Sequence, residues 1–264
     1  PTRRSPAEAV ANDDAPRLET RRLSTLDADD PFATCLKDVS LAVRAGEILG
    51  VAGVAGNGQA ELLSALSGET LSAPDCVLID GKPAGGLGPR QRRELGMGFV
   101  PEERLGRGAA PELSLTENAL LSAHARLGMV RRGLIHGGKA RAFAERVIDV
   151  FNVATHGHHA EARSLSGGNL QKFIIGREVL QNPRLLVVGQ PTWGVDAGAA
   201  AAIHQALIEL ARGGAAVLVV SQDLDELFTL SDRIAVLFHG RLSPAWPAHQ
   251  TSVDEIGLAM GGSW

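Results

Sequence analysis

Four runs along the chain are apolar at nearly every position: Ile48-Leu-Gly-Val-Ala52, Leu185-Leu-Val-Val188, Ala216-Val-Leu-Val-Val220 and Arg233-Ile-Ala-Val-Leu-Phe238. A strand with one wet face alternates polar and apolar residues, so strands without alternation must be covered on both faces. Helical patterns separate these runs. Strand–helix alternation with two-sided strands implies an α/β fold with a mainly parallel sheet. The 264 residues are enough for such a core, and 44% hydrophobic with 21% charged residues is an ordinary globular mix. No stretch reaches the ~18 consecutive apolar residues of a membrane span. Lys+Arg of 26 against Asp+Glu of 30 gives a net charge of -4, which argues against a nucleic-acid partner. Two Cys exclude a disulfide scaffold and favour a reducing compartment.

Residues 1–17 carry Pro, Ala and mixed charge without periodicity and are expected to be a disordered linker, as in a piece cut from a longer polypeptide. The domain is expected over 18–264. Residues 18–51 predict two or three strands, with turns at Asp27–Pro31 and Arg44–Gly46. Cys76–Ile79 with Asp80-Gly81 predicts a hairpin, and Gly98–Pro101 a short buried strand. The segment from about 105 to 163 is expected to be mostly helical, with Ser114-Leu-Thr-Glu117 as a capping box.

The chemistry begins at the loop Gly53-Val-Ala-Gly-Asn-Gly58, between the first apolar run and the helical pattern Gln59–Leu66. Gly53 and Gly58 have the spacing of a phosphate-binding loop, G-x-x-x-x-G-K-[ST], whose backbone N–H groups cradle phosphate at a helix N-terminus. Gln59 stands where the Lys belongs, Ala60 where the Mg²⁺-binding hydroxyl belongs, and Glu61 follows. By itself such a loop also fits an ordinary tight turn. Further on, Leu165-Ser-Gly-Gly-Asn169 precedes a helix, and Leu185-Leu-Val-Val-Gly189-Gln190-Pro-Thr192 follows that helix.

Together these segments resemble the phosphate loop, signature motif and Walker B region of ATP-binding cassette (ABC) ATPases. Val195-Asp196 resembles the D-loop, Val220-Ser-Gln222-Asp223 the switch segment, and Gly98-Phe-Val-Pro-Glu102 the Q-loop. The resemblance covers roughly residues 18 to 243. It implies a RecA-like P-loop NTPase core, an N-terminal antiparallel β subdomain, and an inserted helical signature subdomain at about 103–170. Gly-Asn-Gly-Gln at the loop, Val-Pro-Glu-Glu-Arg104 and Leu-Ser-Gly-Gly-Asn169 most resemble the C-terminal cassette of fused two-cassette ATPases serving simple-sugar and nucleoside importers.

The resemblance also states what hydrolysis needs: a Lys and a Mg²⁺-binding hydroxyl, an acid for Mg²⁺, a Glu for water and a His on the γ-phosphate. The matching positions here are Gln59, Ala60, Gly189, Gln190 and Gln222, so the chain's own site is expected to be inactive. Each lost charge-assisted contact costs ~1.5–3 kcal/mol. The amides of Val54, Ala55, Gly56, Asn57 and Gly58 remain, so ATP is expected weakly or not at all in that site. Mg²⁺ is expected only in the partner's site, and no metal cluster of the chain's own. Phe32 stands at the adenine-stacking A-loop position, where a core Phe of the β subdomain is an equal reading. Leu165, Ser166, Gly167, Gly168 and Asn169 are intact. They suit the γ-phosphate of a nucleotide held by a facing cassette, although Ser166 is also a good helix cap.

The implied partners are an N-terminal cassette of the same polypeptide, membrane permease subunits and, indirectly, a periplasmic or lipoprotein solute-binding protein. The implied place is the cytoplasmic face of the inner membrane, peripherally bound. A soluble ABC-type clamp of translation or DNA repair and a stand-alone ATPase are the competing readings. His156-Gly-His-His159 is expected to be a solvated loop, and Asp223-Leu-Asp-Glu226 to start a helix. Arg90, Arg92-Arg93 and Arg131-Arg132 are expected on solvated faces, with Cys35 and Cys76 half-buried.

Overall fold

The computed structural model describes residues 15–25 and 34–264. Strands β1 (Leu18–Leu23) and β2 (Val39–Val43) lead to β3 (Ile48–Ala52), the glycine-rich loop and α1 (Gln59–Ser67). Then come β4 (Val77–Ile79), β5 (Lys82–Pro83), α2 (Pro89–Glu94) and β6 (Met97–Val100). The helical segment holds α3 (Leu115–Ala123), the short hairpin β7 (Val130–Arg131) and β8 (Leu134–Ile135), α4 (Gly137–Val150) and α5 (Gly167–Val179). It is less helical than its sequence predicts, because this hairpin and extended loops separate the three helices. The chain closes with β9 (Leu185–Gly189), α6 (Ala197–Arg212), β10 (Ala216–Ser221), α7 (Leu224–Leu230) and β11 (Arg233–Phe238). Short strands β12 (Arg241–Leu242) and β13 (Trp246–Pro247) and helix α8 (Val253–Met260) follow.

The main sheet has the order β12-β11-β3-β10-β9-β6, with β13 also on β11. The pairings among β11, β3, β10, β9 and β6 are all parallel. As the unbroken apolar runs require, the two faces are buried separately. Ile48, Val217, Val219, Leu186 and Val188 point into a core with α3 to α8. Leu49, Val51, Leu218, Val220 and Val187 point into a core with α1 and with an antiparallel sheet of order β2-β1-β4-β5. The alternation assigns successive residues of one strand to opposite cores.

Two of the arginines assigned to a solvated face are instead tied into the fold, Arg92 by burial and the half-buried Arg93 by an ion pair. Arg92 is fully buried. Its guanidinium donates to the carbonyls of Ala65, Leu66 (2.7 Å), Leu87 (2.9 Å) and Gly85 (3.1 Å), tying the end of α1 to the chain before α2. Burial lowers its pKa to about 10, so it stays charged at neutral pH. Arg93 Nη1 lies 2.7 Å from Glu178 Oε2 on α5, and Arg177 Nε lies 3.3 Å from Glu178 Oε1. Burial pushes the Glu178 carboxyl up, but Arg93 and Arg177 outweigh it and hold the group below its ordinary range. Arg177 also donates to the carbonyls of Asn118 and Gly108, so α5 is fastened to α2, α3 and the loop before α3. Arg90 is exposed and paired with Glu94, and Arg131 and Arg132 are exposed, as expected.

The linker assignment also ends too late. Arg17 N–H donates to Val43 O at 2.9 Å and its side chain pairs with Asp80 at 3.1 Å, so Arg17 belongs to the fold. Cys76 lies in a 3₁₀ turn just before β4, and both Cys35 and Cys76 are half-buried. The turn expected at Asp27–Pro31 lies outside the described residues. No helix among them is long and apolar enough to cross a membrane.

Replacing Arg92 by Leu would leave the carbonyls of Ala65, Leu66 and Leu87 without their donor, whereas Gly85 O keeps the Ser72 N–H at 3.0 Å. The expected loss is about 2–4 kcal/mol of unfolding free energy, read as a lower urea midpoint at unchanged slope. An unchanged midpoint would show that these carbonyls find other donors.

Candidate functional site

Parallel strands release their loops at the same edge of a sheet, and ligands of such folds bind there. At the end of β3 the chain passes through Gly53–Gly58 into α1. Gly58 has φ 114° and no side-chain cap is made at this helix start. Val54, Ala55 and Gly56 are exposed, as is Ala60, whereas Gly58 and Gln59 are buried and Asn57 and Glu61 partly so. Asn57 fastens the loop to the turn after β11: its Oδ1 accepts from His239 N–H at 2.9 Å and its carbonyl from Gly240 N–H at 2.9 Å. Gln59 does not extend outward. Its Oε1 accepts from Asn57 N–H at 3.1 Å and its Nε2 donates to Val54 O at 2.7 Å.

Gly189 ends β9 beside α1 and the Q-loop segment. A Cβ there would lie 2.8 Å from Leu63 Cδ1 and 3.2 Å from Glu102 N. A carboxylate side chain at this position therefore requires the surroundings to move. Gln190 is buried with φ 47°, and its Oε1 lies 3.4 Å from both Ser221 Oγ and Gln222 N. It turns toward the switch segment at the end of β10. Ala60, Gly189 and Gln190 together offer no hydroxyl and no carboxylate.

Ser166 caps α5, with Asn169 Nδ2 donating to its Oγ at 2.9 Å, and Asn169 Oδ1 accepting from Ala154 N–H at 2.9 Å. Ser166 and Gly167 are exposed, and Leu165, Gly168 and Asn169 are half-buried. Two residues on, Gln171 Nε2 donates to Pro191 O at 2.9 Å while its Oε1 accepts from Arg104 Nε at 3.0 Å. The signature helix is thus tied to the Q-loop and to the chain leaving β9. Asp196 caps α6 by accepting from Ala199 N–H at 2.9 Å, and this bond is the main cause of its lowered carboxyl pKa. Glu102 is exposed. Phe32 lies outside the described residues.

A model of the family described as "ABC transporter" matches residues 36–193. The chain belongs to the ABC transporter family. Its relatives include the guanosine import ATP-binding protein NupO of Bacillus subtilis, 40% identical over 97% of this chain. The nucleoside import ATP-binding protein NupA of Lactococcus lactis is 41% identical over 86%. A ribose import ATP-binding protein RbsA 1 of Rubrobacter xylanophilus is 39% identical over 86%. The chain spans about half the length of these relatives, from 45% to 48%. In fold it is similar to a solved ATP-binding subunit of an ABC transporter (TM-score 0.74, 22% identity, 92% of this chain and 99% of that one). It is also similar to an ATP-binding cassette solved as a dimer with ADP and Pi (TM-score 0.75, 23% identity, 88% and 98%).

Within this ABC transporter ATP-binding domain, one polar cluster escaped the sequence reading. Asp223 does cap α7, as expected, accepting from Glu226 N–H at 3.1 Å. Glu226 itself is buried and its carboxylate gathers three elements. Thr192 Oγ1 and Ser221 Oγ each donate to it at 2.6 Å, and His204 Nε2 of α6 lies 3.1 Å away. The sequence signal was available: a Glu in the first turn after an N-cap, directly behind the switch strand. In the His156–His159 loop, His156 and His159 are exposed, as expected, and His158 is half-buried. His158 Nδ1 lies 3.0 Å from Thr116 Oγ1, and Nε2 is 3.7 Å from Glu145.

Replacing Glu226 by Ala would strand Thr192, Ser221 and His204 at once, at an expected cost of about 2–4 kcal/mol. Glu226→Gln keeps the shape and one acceptor oxygen and is expected to lose less. Chemical denaturation of the three proteins checks the order, and equal midpoints would contradict it.

Proposed function

We propose that this chain is a nucleotide-binding cassette of an importer for nucleosides or simple sugars. In this reading it is one of two cassettes in a longer polypeptide. Its own ATP site is inactive, and its signature segment completes the site held by the partner cassette. The observation that carries the proposal is the inequality of the two half-sites. Ser166 and Gly167 are exposed at a well-capped helix N-terminus. At the other end, Gln59 and Ala60 replace the cation and the hydroxyl, and Gly189 is packed against Leu63 and Glu102.

The chemistry follows from these groups. Phosphoryl transfer is catalysed mainly by positioning and by neutralising developing charge. The chain's own loop offers backbone N–H groups but no cation, and Gln190 accepts no proton near neutral pH. In trans, Ser166 Oγ and the N–H groups of Gly167 and Gly168 would meet the γ-phosphate of the partner's ATP, where the positive end of α5 favours an anion. Mg²⁺ and the attacking water belong to the partner's residues in this scheme. Glu102, beside Gly189 and before the helical segment, is placed to pass a permease movement to the sheet edge. The domain runs from Arg17 to 264 with an inserted helical part at about 103–170, bound peripherally at the cytoplasmic face through permease subunits. A solute-binding protein delivers the solute to them. The names of the matched relatives, guanosine, nucleoside and ribose import proteins, support the solute class.

The chain by itself is expected to release phosphate from MgATP only at background. Turnover near ~1 s⁻¹, the lower end of ordinary enzyme rates, would overturn the inactive-site assignment. In the longer polypeptide with its permease, Ser166→Arg is expected to abolish most ATPase activity, since the guanidinium would occupy the phosphate position. Near-normal turnover in that variant, at an unchanged melting temperature, would overturn the trans role.

A further inference from the structure

Helix α1 begins with N–H groups of the kind a phosphate uses, yet one of the loop's amides already has a partner from within the chain. Gln59 Oε1 accepts from Asn57 N–H at 3.1 Å, and Gln59 Nε2 reaches across the loop to Val54 O at 2.7 Å. Both ends of the carboxamide are thereby used inside the loop, and the residue is only 6% exposed. The space it fills is kept by Gly53, where a Cβ would lie 2.3 Å from Gln59 Nε2 and 2.8 Å from Leu237 O. Asn57 strengthens the same arrangement, since its Nδ2 also donates to Val54 O at 2.9 Å while its Oδ1 and carbonyl are held by the turn after β11. Gly58 supplies no side-chain cap.

We propose that Gln59 is an internal ligand of the glycine-rich loop: its carboxamide oxygen holds the Asn57 N–H where a nucleotide phosphate oxygen would bind. The proposal rests on the reading of residues 53–61 as a phosphate loop. Position 59 then does more than lack a cation. A lysine there would add attraction for phosphate, whereas the neutral carboxamide competes with it. Nucleotide enters only after Gln59 releases both Asn57 and Val54, and its apparent affinity is lowered by the small fraction of loops in which that has happened.

Two readouts on the 264-residue chain separate the proposal from the reading beneath it. The variants are Gln59→Ala and Gln59→Leu, the second keeping bulk without hydrogen bonds, each checked for an unchanged melting temperature. Hydrogen exchange at the Asn57 amide is expected to be about tenfold faster in both variants, the change for loss of one neutral hydrogen bond. Equilibrium binding of ATP and of inorganic pyrophosphate is expected to tighten about three- to tenfold in Gln59→Ala. Unchanged exchange at Asn57 overturns the proposal and leaves the phosphate-loop reading standing. Faster exchange with equal or weaker, measurable ATP affinity also overturns the proposal alone, because Gln59 then does not compete with phosphate. Absence of ATP and pyrophosphate binding in every protein overturns the phosphate-loop reading and the proposal with it.

Discussion

A sheet buried on both faces has no water for its backbone polar groups, so every strand must bond to its neighbours along its length. That constraint organises this molecule. Strands β3, β10 and β9 are buried at every position, and their pairings to each other and to β11 and β6 are parallel. Each fully buried Val, Leu or Ile contributes about 1.5–3 kcal/mol of burial free energy, and the two cores share these strands residue by residue. Because the strands run the same way, the glycine-rich loop, Gly189–Thr192 and Ser221–Asp223 leave the sheet at one edge. The candidate site is a consequence of how the sheet satisfies its backbone.

The helical part is held by polar contacts as well as by burial. Arg177 and Glu178 on α5 are buried side by side, and Arg93 from α2 completes the cluster. A buried charge without a partner is expensive, so these three groups select one docking of α5 over others more than they add stability. The same helix begins at the signature. Its placement by Arg93 at one end and by the Arg104–Gln171–Pro191 chain at the other sets how Ser166 and Gly167 face outward. The geometry at the exposed start of α5 thus rests on contacts well away from it.

Most of the deviations from expectation come from long polar side chains. Arg92 and Arg93 stand in a charged run that reads as a solvated face, and a helix this short carries no periodic pattern to correct it. Only the surroundings show that Arg92 finds two carbonyls where α1 ends and two in the chain before α2, and that Arg93 finds Glu178. Glu226 was legible as a helix-start residue, but not as the acceptor shared by Thr192, Ser221 and His204. These partners come from three elements up to 34 residues apart. Gln59 was legible as a missing cation, whereas its bonds to Asn57 and Val54 depend on the loop's curvature.

Beyond what the family resemblance implied, namely the antiparallel pairing of the first strands and the order of the phosphate-loop, signature and switch segments, the sequence by itself determined the parallel sheet, the strands ahead of it, the caps at Ser114 and Ser166 and a helix start at Asp223. Those features are local or periodic, and short-range sterics, capping and the alternation of burial decide them. Tertiary structure alone decided that a side chain at position 189 would press on Leu63 and the Glu102 backbone, that Gln190 turns toward Ser221 and Gln222, and that Gln59 closes on its own loop. Each of these depends on atoms brought close by the packing of β9, β10 and α1, and a side chain's partner across such a distance is fixed only when the sheet and helix are in place.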